Sequence, residues 1–198
     1  SVAFSFDHET VRHVSLKKTK AGIVVASHGS DHLGDAVIGP QGTVVNDALF
    51  VERLRTIKNR IDFGESDHSG VLVVPDRLAL MFHTHIVKES DREMGDIIID
   101  HIKTYCESNL ALMFNEYICE YDIILETVFG YDVHVTLVPK MVINHYGHLF
   151  KQAGITITHI ETAHHAVARA CLNLPAGEGI ALVSFGKQQS TVAILHGN

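Results

Sequence analysis

The run Gly179-Ile180-Ala181-Leu182-Val183-Ser184-Phe185-Gly186, a polar turn, and Ser190-Thr191-Val192-Ala193-Ile194-Leu195 closes the chain. It matches the opening run Val2-Ala3-Phe4-Ser5-Phe6-Asp7, then His8-Glu9-Thr10, then Val11-Arg12-His13-Val14-Ser15-Leu16. Setting Ser5 over Ser184 places Phe6 over Phe185 and Leu16 over Leu195, with apolar residues over apolar ones on both sides. Each run reads as a β-hairpin: a buried strand, a short polar tip and a second strand. Two such hairpins bracketing one chain suggest a duplicated architecture. A chance likeness between two hairpins is the plainer alternative.

The 198 residues, 46% of them hydrophobic, suffice for a substantial core in one or two globular domains. No run approaches the ~18 apolar residues of a membrane span, and no basic segment precedes an apolar one at the N-terminus. The chain therefore reads as cytosolic. A net charge of −7 argues against nucleic acid as a partner, since phosphate binding needs clustered Lys and Arg. Only Lys17-Lys18-Thr19-Lys20 is locally basic, as a hairpin edge often is. Cys106, Cys119 and Cys171 are far apart and odd in number, which indicates buried thiols, not a disulfide framework or a CxxC site.

Taken in order, the first hairpin continues into a third strand at Gly22 to His28, forming a β-meander. Gly29 to Gly42 reads as a loop with room for a short strand at Ala36 to Ile38. Asn46 or Asp47 caps a helix reaching about Asn59, with Leu49, Phe50, Leu54 and Ile57 on its apolar stripe. Val71-Leu72-Val73-Val74 is apolar on both faces, as in a sheet covered on both sides, and Pro75 ends it. A strand at Leu78 to Val87 follows. Ser90 with Glu93 then forms a capping box for a helix to about Glu107. Strands are expected at Tyr117 to Thr127 and Asp132 to Val138, and a helix at Lys140 to Ala153 with Gly154 at its C-terminal cap. Ile155 to Ile160 returns as a strand and Glu161 to Leu172 as a helix. Pro175 to Gly179 marks the best domain boundary.

This order of parts resembles actin-like ATPases, and within them the PilM family of type IV pilus assembly proteins, with FtsA as a relative. The residues that carry the likeness are Val71-Leu72-Val73-Val74-Pro75, Val135-Thr136-Leu137-Val138-Pro139-Lys140, Lys151-Gln152-Ala153-Gly154-Ile155, and Ile160-Glu161-Thr162-Ala163 through Arg169-Ala170. It implies an α/β, actin-like (RNase H-like) mixed-sheet lobe from residues 1–75 and 139–176. Residues 76–138 would form an inserted strand-helix-strand-strand subdomain, and residues 177–198 the first hairpin of a second lobe. Such a chain is either a fragment of a longer protein or a shortened relative.

In this family each hairpin tip carries Asp-x-Gly followed by small hydroxyl residues, which wrap phosphate and organise magnesium. Here Ser5 stands for the first Asp, Asp7 for the Gly and Arg12 for the usual Lys. In the second tip Ser184 replaces the Asp, while Gly186, Ser190 and Thr191 are kept. With both acids lost, and with His8 and Lys187 only partly offsetting the Asp7 carboxylate, ATP hydrolysis is expected to be weak or absent. No cofactor is expected; ATP with magnesium at Ser5, Arg12, Ser184, Gly186, Ser190 and Thr191 is the alternative.

No metal site is expected either. His83 with His85 on a strand, and His145 with His148 on a helix, have suitable spacing, but there is no HExxH. Most of the 15 histidines read as scattered imidazoles, with pH sensitivity as a second thought. His164-His165 read as a helix-surface pair in which His165 meets Glu161 four residues earlier, and Cys171 has no partner that would make it a nucleophile. No Walker loop, G-x-S-x-G or dinucleotide fingerprint occurs.

The resemblance implies a scaffold at the inner membrane face that binds the cytoplasmic segment of a membrane-anchored pilus or secretion protein, with a homo-oligomer compatible. A competing reading is an ATPase or sugar-kinase-like phosphotransferase. An FtsA-like division protein would need a C-terminal amphipathic helix, which these residues do not contain.

Overall fold

The computed structural model describes residues 2–7, 9–34, 37–61, 63, 68–171, 179–185 and 190–196. The first hairpin forms as read: β1 (Val2–Phe6) pairs antiparallel with β2 (Thr10–Thr19), and β2 with β3 (Gly22–His32). Strand β3 continues beyond the expected end at His28, because Gly29, Ser30 and Asp31 pair with His13, Arg12 and Val11. The Asp31 carboxylate is held there by Arg60 at 2.5 Å. The short strand expected at residues 36–38 is an isolated bridge between Ile38 and Val44, with residue 36 outside the described set.

Helix α1 (Asp47–Lys58) starts where expected, with the Asn46 side chain accepting from the Leu49 N–H at 3.2 Å. Strand β4 (Ser69–Val74) lies parallel to β1 on its other side, and β8 (Thr156–Thr162) parallel to β4. These five strands form one mixed sheet in the order β3-β2-β1-β4-β8. Alternation along β1 and β4 sends Val2, Phe4, Phe6, Leu72 and Val74 into the core. There they meet Phe50 and Leu54 of α1, and Tyr146, Leu149 and Phe150 of α3 (Lys140–Gln152). Phe4, Phe6, Phe50, Tyr146 and Phe150 pack with ring centroids 5.3 to 6.1 Å apart.

A second core belongs to the segment between β4 and α3. Strands β5 (Leu80–Val87), β6 (Tyr117–Glu126) and β7 (Gly130–Pro139) form an antiparallel sheet in the order β5-β7-β6. Helix α2 (Met94–Asn109) sets Ile97, Ile98, Ile102 and Cys106 against Ile86 and the buried face of β7. Two expectations change here. Residues Asp76–Leu78 form a 3-10 turn in which Leu78 is buried, so β5 starts at Leu80. The Ser90 capping box is absent: Ser90 bonds Asp91, and α2 begins after Glu93 with no side-chain cap.

Helix α4 (Ala163–Cys171) begins two residues later than expected, since Glu161 and Thr162 pair with Val73 and Val74 of β4. The boundary expected at Pro175 falls outside the described residues up to Gly179. Strands β9 (Gly179–Phe185) and β10 (Ser190–His196) form the second hairpin. Its register, Ser184 opposite Thr191, repeats that of Ser5 opposite Arg12 in the first. The likeness between the two runs therefore extends to their pairing.

Two helix ends make opposite use of left-handed backbone. After α3, Gly154 at φ +77° donates to Lys151 O while Ile155 donates to Phe150 O, both at 2.9 Å, which closes a Schellman cap. After α2, the same left-handed place is taken by Ala111 at φ 54°. Urea denaturation should therefore show Gly154→Ala destabilising by about 1 kcal/mol and Ala111→Gly stabilising by up to about 1 kcal/mol. Phe150, fully buried against the rings of Phe4, Phe6 and Phe50, should cost about 3 to 5 kcal/mol when replaced by Ala.

Candidate functional site

Strand period decides what the inserted sheet offers on the side away from α2. Tyr131, Val133, Val135 and Leu137 of β7 are buried in the core, so Asp132, His134 and Thr136 project from the opposite face. In the cross-strand register His83 and Asp122 flank His134, while Met81 and Glu120 flank Thr136. This polar face forms one wall of a cleft of about 1090 Å³, with β8, α4 and the β10 residues Val192, Ala193 and Ile194 around the rest.

The parallel strands β4 and β8 end at the same cleft. Beyond β4, Asp76 accepts hydrogen bonds from both the backbone N–H and the Nδ1 of His164, each at 3.0 Å. An ionised carboxylate only accepts, so this contact assigns the proton of the neutral His164 ring to Nδ1. Burial pushes the Asp76 carboxyl up, but the bonds from His164 and Ala163 outweigh it and hold the group below its ordinary range. Glu161, expected to meet His165 on one helix, instead lies in β8 and pairs with Arg169.

Four imidazoles converge. The rings of His83 and His134 lie 4.8 Å apart, His134 and His165 5.8 Å, and His164 and His165 4.1 Å. Burial, reinforced by His83, His165 and His164, lowers the His134 pKa to about 4. His165 is lowered for the same reasons, burial first and His164 second. Burial also raises Cys119, at the cleft edge, to about 11, which removes it as a thiolate near neutral pH.

Of the histidine pairs picked out by spacing, only His83 reaches the cluster. His85 bonds Asp132 at 2.6 Å, His145 bonds Asp47 at 3.0 Å, and His148 lies against Gln152 at 2.8 Å. Spacing does not pick out His134, because the apolar residues of its strand dominate the pattern. Its polar position between Val133 and Val135 was the available signal.

The expected phosphate residues lie in the two hairpins. Ser5 and Arg12 face each other across β1 and β2, and Arg12 pairs with Asp7 at 3.6 Å. The Asp7 N–H closes the first tip onto Thr10 O at 2.9 Å. Ser184 faces Thr191 and Ser190 faces Phe185 across β9 and β10. Gly186, His8 and Lys187 lie outside the described residues. Ser5 and Arg12 do not line the cleft.

Among solved structures, the chain superposes over its whole length on a chain of the PilM-PilN type IV pilus biogenesis complex, with a TM-score of 0.76 at 10% identity. The chain has an actin-like, PilM-type fold. It spans 58% of the length of that structure's chain. A second likeness is to the cytoplasmic domain of EpsL, an inner membrane component of the type II secretion system of Vibrio cholerae, with TM-score 0.56 and 10% identity. That match covers 97% of this chain and 70% of the other. No protein-family model and no curated protein sequence matches the chain. Within this fold β5, β6, β7 and α2 are set in the chain between β4 and α3.

The lowered His134 makes a signed prediction. The unfolded chain takes up a proton at His134 near pH 6.5 and the folded one only near pH 4, so stability is retained above pH 6.5 and falls through that window. His165 and His13, both lowered, add in the same direction. Thermal melts in chelator should show this acid loss, and His134→Gln should reduce it while leaving neutral-pH stability nearly unchanged.

Proposed function

We propose that this protein is a cytoplasmic actin-fold scaffold of a type IV pilus or related secretion apparatus, and that it binds a short segment of a membrane-anchored partner in the cleft between its two cores. The observation that carries this reading is the full-length likeness to a chain from a complex of PilM with PilN. The likeness to the cytoplasmic domain of an inner membrane secretion component supports the same setting. Among the described residues no helix is long and apolar enough to cross a membrane.

The cleft suits an extended peptide. Strand β6 is an edge of its sheet, so one row of its backbone groups is available for pairing. Ile124, on that strand and exposed, lines the cleft, and Ile160 and Ile194 supply apolar surface across it. An added strand along β6 would gain affinity from main-chain bonds and specificity from these side chains.

The hairpin tips support loss of ATP hydrolysis. Neither tip holds an acid at the place where the family organises magnesium, and the Arg12 guanidinium is engaged by Asp7. An ATPase or phosphotransferase would need those groups to act on phosphate.

Fluorescence anisotropy with a labelled peptide from the cytoplasmic segment of the organism's own PilN-type protein tests the proposal. Wild-type protein should bind saturably, and Ile124→Asp should weaken binding by about tenfold or more, the worth of ~1.4 kcal/mol, with an unchanged melting temperature. Magnesium ATP should neither shift the melting temperature nor turn over. Magnesium-dependent turnover lost on Ser184→Ala would reject the scaffold reading.

A further inference from the structure

We propose that His134, His164 and His165 form a binding site for one borderline divalent transition ion, of which Zn²⁺ is the expected occupant, tying the inserted sheet to α4 across the cleft. One nitrogen from each ring lies within 4.8 Å of those from the other two. The three come from two separate structural units, β7 and α4, and meet only through tertiary packing.

Two of the three carry a nitrogen with no hydrogen-bond partner among the described residues. His134 Nδ1 and His164 Nε2 are both buried and make no hydrogen bond, although buried imidazole nitrogens are normally paired. Each of these rings is held through its other nitrogen. His134 Nε2 lies 3.4 Å from Thr136 Oγ1, and His164 Nδ1 lies 3.0 Å from Asp76 Oδ1. The Asp76–His164 contact orients the ring, sets its tautomer and leaves Nε2 as a bare lone pair, the arrangement that supports histidine ligands in metal sites. Neutral imidazole is the ligating form, and burial favours it at His134 and His165.

Ligand chemistry selects the ion. Three imidazoles without thiolate favour Zn²⁺, Cu²⁺ or Ni²⁺ over Mg²⁺ or Ca²⁺, which prefer oxygen. Zn–N bonds of about 2.0 to 2.1 Å place tetrahedral ligand nitrogens about 3.4 Å apart, so the site must tighten on loading. His165, half-buried at the start of α4, is the ring best placed to move. The positive end of α4 opposes a cation. Asp76, Glu120 and Asp122 line the same cleft and offset it, while Glu161 there is engaged by Arg169. The fourth position opens into the cleft and is left to water.

This inference does not rest on the proposed partner, and its test uses Zn²⁺ alone. Competition with a chromogenic chelator on the whole chain should give one ion per chain in the submicromolar range. His134→Gln and His165→Gln should each abolish that class of binding. Asp76→Asn, which weakens the support of His164 without removing a ligand, should weaken it by about 10- to 100-fold at unchanged stoichiometry. His145→Gln, on α3, should leave it intact. Zinc K-edge absorption of the loaded wild-type protein should count three imidazoles and one oxygen, a readout that does not depend on any variant folding. Absence of a submicromolar site, the same affinity in His134→Gln, or fewer than three imidazoles around the ion would overturn the proposal. The orphan nitrogens would then belong to buried water.

Discussion

Everything in this structure hangs on β1, a five-residue strand paired on both sides and sealed from above by aromatic rings. Its antiparallel neighbour β2 follows directly in sequence, but its parallel neighbour β4 lies more than sixty residues on. A parallel partner at that separation is entropically costly to bring in, and burial has to compensate. Phe4 and Phe6 supply the means by meeting Phe50 of α1 and Tyr146 and Phe150 of α3. The Tyr146 hydroxyl finds the Gly42 carbonyl at 2.6 Å, so even the polar end of the cluster is satisfied.

That seam also places the cleft. Strands β1, β4 and β8 run in the same direction, and the ends of β4 and β8 release Asp76 and His164 side by side. Open α/β sheets commonly present ligands outside the carboxyl ends of their parallel strands, because the chain leaves the sheet there in loops and helix starts. The inserted sheet adds a second wall. With one face committed to α2, strand geometry obliges His83, Asp122, His134 and Thr136 onto the other, where water would ordinarily meet them. Packing of α4 against that region leaves half-buried imidazoles in place of a solvated polar face.

The two hairpins show how a repeated framework can persist while its polar groups change. Their pairing registers coincide, and register is set by the buried face and the turn, not by tip chemistry. In the first tip, Asp7 and Arg12 satisfy one another. Such a pair is compatible with the hairpin and leaves the guanidinium engaged by a carboxylate.

By itself the sequence determined the elements whose signal is local. Apolar periodicity located α1, α3 and the strands, Asn46 and Gly154 marked helix ends, and the match of the closing run to the opening one revealed the second hairpin. Local patterns failed where a distant partner decided the outcome. Pairing with β2 carried β3 on to His32, pairing with β4 held Glu161 in a strand, and Arg169 then took the carboxylate that helical spacing had given to His165. The histidine cluster belongs to this second kind. Strand period says that His134 shares a face with Asp132 and Thr136, and helical order says that His164 and His165 open α4, but neither says that the two faces meet. Only the packing of β7 and α4 around one cleft does, since neighbours in space are chosen by burial of the cores on either side and not by residue spacing.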